Sequence, residues 1–252
     1  MTPRGNVASD DRGVSDVVGY VLIFSLIVAT VGVVTTVGFG TLDDRQDAER
    51  INNVERAFDV FANNMENVYR DGAPSRATEM RLAGGELRYG EPTEITLRKA
   101  DNSDINQTAR ITPIVYSDGG TEIVYEGGSI IRSQEQGGVM LRSPPYRFSS
   151  DRTLLPLVRT TRSTGESSVR LEGTIRVESA LTSVDVDLDP ELTDPGTELE
   201  LVIESERQEV WDRYLEEVAE SEESWVYDNG TLTFDTTDVS APRFRIQLRY
   251  VR

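Results

Sequence analysis

The stretch DRGVSDVVGYVLIFSLIVATVGVV, residues 11–34, decides how the chain is organised. A short charged segment with one glycine leads directly into an apolar run, and no charged residue occurs between Val17 and Phe39. At about 1.5 Å per helical residue, this run is long enough to cross the hydrocarbon core of a bilayer. The sequence therefore predicts a transmembrane helix over residues 14–40.

The flanks of this segment bear on whether it is removed and on its orientation. A removable secretory signal has a shorter apolar region and an A-x-A-like cleavage site, whereas this run ends in VGFGTLDD, residues 37–44. Arg4 and Arg12 precede the run, and Asp43 and Asp44 follow it. Because positive residues stay in the cytoplasm, we expect a retained, single-pass segment with its N-terminus inside and the bulk of the chain outside.

The pattern after the membrane segment predicts an amphipathic helix over residues 41–72. Apolar residues recur three and four positions apart and form one seam, with polar residues on the other faces: Ile51, Val54, Phe58, Phe61, Met65 and Val68. Such spacing is typical of a helix that packs on a core through one face. Gly72 and Pro74 are expected to end it.

Beyond Pro74 the hydrophobic period changes to two, which predicts a β-rich head over residues 75–252. We expect a meander with turns at Asp118-Gly119-Gly120, Gly127-Gly128 and Gly137-Gly138, and a hairpin on Asn229-Gly230. Alternation continues in strands around Val169–Val177, Val184–Leu188 and Leu199–Ile203, and one small helix contains Trp211. The predicted fold class is α+β: a long N-terminal helix, then an antiparallel β-sandwich-like head with one small helix.

Composition excludes several functions. The net charge is −18, and Lys99 is the only lysine. Because a face that binds nucleic acid needs a local excess of basic residues, we expect no nucleic-acid partner. This composition is typical of halophilic proteins, because concentrated salt screens the repulsion between carboxylates. The chain has no cysteine and no histidine. Disulfides, Cys/His zinc sites and catalysis by a histidine-activated nucleophile are therefore excluded.

The segment DRGVSDVVGYVLIF, residues 11–24, resembles the class III signal peptide of haloarchaeal type IV pilins and archaellins. The resemblance covers about residues 10–40 and implies cleavage by a prepilin peptidase after Gly13, with Arg12 before the cut and Val14 as the new N-terminus. Residues 1–13 would then be a cytoplasmic leader. The chain departs from the family pattern at Asp16, where many members have proline, and at Val18, where bacterial pilins have glutamate. Residues 123–145 resemble an uncharacterised domain of haloarchaeal pilin-like surface proteins, a resemblance that brings no activity with it.

Two tripeptides match the acceptor pattern for N-glycosylation, at Asn106 and at Asn229. They fit an exported surface protein, although such tripeptides are also frequent by chance. We predict no catalytic residue, no cofactor and no metal. DVDLDPE, residues 185–191, lacks the glycine and glutamate of an EF-hand, because Pro190 and Gly196 occupy those positions. Trp211 and Tyr214 could form a carbohydrate platform, but their helical spacing favours a place in the core.

The final strand, residues 243–250, alternates arginines with apolar residues. Two acidic strands lie upstream, around Asp185 and around Glu200. Opposite charges on cross-strand neighbours are stabilising, and like charges are destabilising. We therefore predict that the arginine strand neighbours at least one acidic strand, and that the helix around Trp211 covers its apolar face.

These expectations favour a protein of the archaeal cell surface that is not an enzyme. The resemblance implies a subunit or minor component of a type IV pilus-like filament that acts in assembly, adhesion or surface contact. Its partners would be the membrane, a prepilin peptidase, the assembly machinery and other pilin-like subunits. The alternative is a non-polymerising, single-pass surface protein whose β head binds a ligand or an envelope component. An exported hydrolase that uses carboxylates is a third possibility.

Overall fold

The structure is a computed structural model that describes residues 11–163, 165–194 and 196–251, with the backbone alone described for residues 11–16, 36–45 and 47. Its contacts divide the chain into two units, Met1–Arg50 and Ile51–Arg252. The fold class is α+β: an N-terminal apolar helix and a head of mostly antiparallel sheets, as the sequence predicts.

Helix α1 spans Asp11–Tyr69 and helix α2 spans Gln208–Ala219, and a 3₁₀ turn covers Pro190–Leu192. The strands, in chain order, are β1 Ser75–Arg81, β2 Glu86–Tyr89, β3 Thr93–Lys99, β4 Asn102–Ile111, β5 Ile114–Asp118, β6 Thr121–Glu126, β7 Ser129–Gln134, β8 Gly137–Arg142, β9 Thr153–Leu154, β10 Leu157–Arg162, β11 Ser168–Arg170, β12 Thr174–Asp185, β13 Glu198–Glu204, β14 Val226–Asp228, β15 Thr231–Asp235, β16 Val239–Ser240 and β17 Arg243–Val251.

The strands form three larger sheets and one small one among the described residues. The four-stranded sheet has the order β1-β12-β17-β10, the six-stranded sheet β11-β2-β5-β6-β7-β8, and the five-stranded sheet β14-β15-β13-β3-β4. A two-stranded sheet pairs β16 with β9. Neighbouring strands are antiparallel except for the β10–β17 and β9–β16 pairs. The predicted meander therefore forms four consecutive strands of the six-stranded sheet, β5-β6-β7-β8.

The apolar seam of α1 lies in a core shared with two sheets. Val54, Phe58, Phe61, Met65 and Val68 are each at most 4% exposed, and Ile51 packs against the same cluster. The cluster also contains inward-facing residues of the four-stranded sheet and of the six-stranded sheet, such as Val177, Leu248 and Tyr116. This confirms the predicted seam, and the helix ends at Tyr69, three residues before Gly72.

A second core lies under helix α2. Val210, Trp211 and Leu215 of this helix are buried with residues of the five-stranded sheet, such as Leu199, Leu201 and Phe234, and with Val124 and Ile131 of the six-stranded sheet. The six-stranded sheet therefore contributes side chains to both cores, because successive residues of a strand point to opposite faces.

Three local predictions need correction. The last turn of the meander is Glu135-Gln136, and Gly137-Gly138 lies inside β8. A Cβ on Gly138 would lie 2.6 Å from Cγ2 of Val210, so glycine there allows the close approach of α2. The alternation around Val169–Val177 belongs to two strands of different sheets, β11 and β12. The strand predicted around Val184–Leu188 ends at Asp185, and Val184 and Val186 are exposed.

Candidate functional site

The predicted processing site falls at the start of helix α1. Arg12, Gly13 and Val14 lie in its first turn, and their side chains are outside the described part of the chain, as are residues 1–10 of the predicted leader. Cleavage after Gly13 therefore stays a prediction.

The segment after this site has the length and composition of a membrane span. Within the described residues, Val17–Thr35 is the one helical stretch that passes this test, with a mean hydropathy of 2.6. Its large apolar side chains are exposed on every side; Val17, Tyr20 and Leu26, for example, are between 63% and 71% exposed. An apolar helix that is exposed all round requires a surrounding that is itself apolar. A membrane anchor and a signal sequence both meet this description.

From Ile51 onward the polar side of α1 is joined to the six-stranded sheet by surface ion pairs. Glu55 pairs with Arg132 of β7 at 3.0 Å, and Glu66 pairs with Arg142 of β8 at 2.9 Å. Arg142 also donates to Oδ1 of Asn63 at 2.7 Å. These contacts flank the apolar seam on the polar side of residues 51–69.

The most unusual polar group of the head is Glu126, whose side chain is completely buried. Its Oε1 accepts hydrogen bonds from Thr93 Oγ1 at 2.8 Å, Ser205 Oγ at 2.6 Å and Trp211 Nε1 at 2.8 Å. Its Oε2 accepts from Nε of Arg207 at 2.7 Å, and the Arg207 side chain is itself only 4% exposed. We call these five residues the Glu126 cluster.

Local structure places Glu126 and Arg207, the two charged members of the Glu126 cluster. Glu126 ends β6 and its backbone carbonyl accepts from Ser129 Oγ at 2.6 Å, which closes the Gly127-Gly128 turn. Arg207 is the N-cap residue of α2, so the cluster joins the start of that helix to the hairpin. Both carboxylate oxygens of Glu126 are used by donors from within the head, which makes the cluster a structural clamp between α2, β3 and the hairpin.

The Glu126 cluster is not apparent from the sequence. A glutamate at the end of an apolar strand looks like an ordinary exposed residue at a turn, and its four donors come from two distant segments, one at Thr93 and one at residues 205–211. The one available signal is that Glu126 follows Ile123, Val124 and Tyr125 without the usual polar alternation.

The predicted pairing of the arginine strand is confirmed. Strand β17 is the antiparallel neighbour of β12, and its register places Arg243 opposite Asp185 and Arg249 opposite Glu178. Arg243 forms an ion pair with Asp185, and Arg249 forms one with Glu178. The hydrogen bond from Arg249 is the main reason that the pKa of Glu178 is lowered from its ordinary value. Arg245 lies opposite Ser183 instead, beside Arg159 of β10.

The prediction that helix α2 covers the apolar face of β17 is wrong. The apolar face of β17, with Ile246 and Leu248, lies in the core under helix α1, whereas Trp211 of α2 lies in the other core. Local periodicity shows that a helix has an apolar face but does not say which sheet receives it. The pairing of β17 with β12 could be predicted from the sequence because charge complementarity acts between specific neighbours.

The acidic and aromatic candidates have structural roles. Asp185 pairs with Arg243 and also accepts from the backbone N–H of Asp187 at 3.1 Å, and Asp189 caps the 3₁₀ turn through Glu191 N–H at 3.0 Å. In the part of the chain that the structure describes, no group of three or more Asp and Glu residues is arranged to hold a metal ion. Trp211 is fully buried and Tyr214 packs edge-on against it, so this pair belongs to the core.

The two predicted glycosylation sites differ in their geometry. Asn106 is exposed within β4, the edge strand of the five-stranded sheet, and its side-chain nitrogen donates to backbone oxygens of Ser103 and Asp104. Asn229 is exposed at the tip of the β14–β15 hairpin with a positive φ of 48°. The hairpin on Asn229-Gly230 is therefore confirmed.

The fold defines this molecule as an α+β protein with an apolar N-terminal helix and a β-rich head. The chain belongs to DUF7289, a family of unknown function, whose profile matches residues 12–249. The match begins next to the predicted cleavage site and continues almost to the end of β17. No curated protein matches the chain, and no solved structure matches it.

Proposed function

We propose that this protein is a pilin-like component of the archaeal cell surface, a subunit or minor component of a type IV pilus-like filament with a β-sandwich-like head. Helix α1 carries the proposal, because it is apolar on every side over Val17–Thr35 and amphipathic from Ile51 onward. A filament subunit needs both properties: an apolar segment that leaves the bilayer only to pack against other apolar helices, and a second segment held on its own head.

The resemblance of residues 11–24 to a class III signal peptide supplies the processing step of the proposal. Cleavage after Gly13 would remove a cytoplasmic leader and leave Val14 at the start of the helix. The N-terminus would lie inside the cell and the head outside, with a role in assembly, adhesion or surface contact and no catalysis. The surface hairpin with Asn229 is compatible with an exported head that is glycosylated.

Mass spectrometry of the native N-terminus tests this processing. We expect the mature chain to begin at Val14, and we expect Gly13→Val to abolish the cut, because a prepilin peptidase requires a small residue there. Gly5→Val is the matched control, since Gly5 also follows an arginine but precedes no apolar run. An intact leader in the mature wild-type protein would contradict the proposal.

The main alternative is a single-pass surface protein that does not polymerise. Shearing of intact cells separates the two functions, since a filament component is released into a high-molecular-weight fraction and a solitary anchor stays in the membrane. Release that is lost in Gly13→Val and retained in Gly5→Val would support the filament. A protein that begins at Val14 yet never leaves the membrane would favour the alternative.

The acidic composition supports a halophilic setting. With a net charge of −18, repulsion between carboxylates should destabilise the head as screening weakens. We expect the melting temperature of the full chain in detergent to fall as NaCl is lowered from the molar range. A melting temperature that is constant or highest at low salt would remove the halophilic part of the proposal.

A further inference from the structure

A cleft lies in the head where helix α1 ends, beside the segments that lead into β10 and β17. Its volume is about 370 Å³, and it is lined mainly by rings: Tyr69, Phe244, Pro145, Pro156 and Pro242. Clefts of this size accommodate small organic ligands. The cleft is built from residues between Glu66 and Phe244, so it does not depend on processing or on polymerisation.

The walls of the cleft are rigid. Tyr69 and Phe244 contact each other with ring centroids 5.4 Å apart, so each ring limits the movement of the other. Each proline ring fixes its own backbone φ, and Pro156 and Pro242 stand immediately before β10 and β17. Flat, preorganised apolar surfaces bind a ring-shaped ligand with little loss of side-chain entropy.

The polar groups of the cleft favour an anion. Glu66 is already occupied, because it accepts from Arg70 at 2.7 Å and from Arg142 at 2.9 Å. Arg147 lines the same cleft, and the one hydrogen bond of its side chain within the described residues goes to the backbone oxygen of Tyr146 at 2.9 Å. Among those residues no carboxylate pairs with Arg147. Its exposed guanidinium therefore keeps N–H groups free for a carboxylate.

Tyr69 adds a neutral donor to this surface. Its pKa is raised to about 12, chiefly because burial disfavours the phenolate. The phenol therefore stays protonated at neutral pH, and it offers an O–H group without adding a negative charge beside Arg147.

We propose that this cleft binds a carboxylate carried on a six-membered ring, with the ring against Tyr69, Phe244 and the prolines and the carboxylate on Arg147. Acidic sugars and aromatic acids share this chemistry.

Ligand-observed NMR on the full chain in detergent micelles tests the proposal, with empty micelles as the blank. The probes are glucuronate and benzoate, with glucose and benzamide as their neutral counterparts. We expect at least one acid to bind about threefold or more tighter than its neutral counterpart. Preference for glucuronate would identify an acidic sugar, and preference for benzoate an aromatic acid. Equal binding of acid and neutral probes, or no binding of any probe, would overturn the proposal.

Substitutions of cleft residues test whether the acid binds in this cleft. Arg147→Gln should reduce the affinity of the acid to that of the neutral probe, while Arg152→Gln should leave it unchanged. Arg152 is the matched control, because it is exposed in the same segment and pairs with Asp238 outside the cleft. Phe244→Leu should weaken both the acid and the neutral probe, because it removes a ring face. Unchanged binding in Arg147→Gln, or an equal loss in Arg152→Gln, would mean that the carboxylate does not bind in this cleft.

Discussion

Residues 51–69 of helix α1 and helix α2 both cover sheets of the head, but they are held there by different interactions. The α1 segment buries an entirely apolar seam and keeps its charged contacts, Glu55–Arg132 and Glu66–Arg142, near the surface. Helix α2 also buries an apolar face, yet its N-terminus is fastened by the buried Glu126–Arg207 pair. The first helix depends mainly on apolar burial, and the second depends also on a desolvated charge pair.

The largest effect is expected from the apolar seam. Phe58→Ala removes a completely buried ring and should lower the free energy of unfolding of the head by about 3–5 kcal/mol. The control is Phe24→Ala in the membrane segment, where the ring is 56% exposed, and it should change head unfolding by less than about 0.5 kcal/mol. Denaturant unfolding of the full chain in detergent, followed by tryptophan fluorescence, measures both. An equal loss of unfolding free energy in Phe58→Ala and Phe24→Ala would mean that the apolar seam does not stabilise the head more than the membrane segment does.

The second test concerns the buried charge. Glu126→Gln leaves the buried Arg207 guanidinium with only a long, 3.5 Å pair to the half-exposed Glu206, and should cost about 3 kcal/mol. Glu122→Gln in the same strand breaks a partly exposed pair with Arg88 and should cost less than about 1 kcal/mol. The double variant Glu126→Gln/Arg207→Met should regain part of the loss, because no charge is then left in the core. If Glu126→Gln costs no more than Glu122→Gln, the clamp does not hold α2.

A smaller effect is expected at the polar border of α1. Glu66→Gln weakens the contacts with Arg70 and Arg142 and should cost at most about 1 kcal/mol. A double-mutant cycle with Arg142→Gln isolates the coupling between helix and sheet, and it should give a few tenths of a kcal/mol. A coupling as large as the Glu126→Gln effect would show that α1 also depends on its charges.

The smallest effect on stability is expected at the Arg249–Glu178 pair, on the outer side of the four-stranded sheet that packs against α1. The Arg249 hydrogen bond lowers the pKa of Glu178 below its ordinary value of 4.5. The pair therefore stabilises the folded head above that value, and the contribution is lost as the pH falls through the lowered pKa. Arg249→Gln should unfold slightly more easily than wild type at neutral pH, and it should lose less stability on acidification. The effect is small because Arg176 still pairs with Glu178 in this variant.

Arg245→Gln provides the comparison for this pH test, because Arg245 lies on the same face of β17 but opposite Ser183. Melting curves at neutral pH and at about pH 3 should show wild-type acid sensitivity in Arg245→Gln and reduced sensitivity in Arg249→Gln. Identical curves for the two variants would contradict the role given to the Arg249–Glu178 pair.

Several parts of the head could be predicted from sequence because their signals are local. The seam from Ile51 to Val68 follows from helical spacing, and the hairpin on Asn229-Gly230 follows from turn chemistry. The β12–β17 pairing followed from charge, because Asp185 and Glu178 meet Arg243 and Arg249 across the register. Where a local pattern was ambiguous the prediction failed, as at Val169–Val177, where residues 171–173 separate strands of two different sheets.

The sequence by itself determined the apolar segment, the amphipathic continuation of α1, the β-rich head and the absence of cysteine and histidine chemistry, because periodicity and composition are properties of the chain alone. Only the tertiary structure decided that α1 covers β17, that α2 lies on the five-stranded sheet, and that Glu126 is buried among four donors. It also brought Tyr69, Arg147 and Phe244 to one cleft. The physical reason is that a helix or strand pattern specifies which face is buried, whereas the partner of that face depends on contacts between residues far apart in the chain.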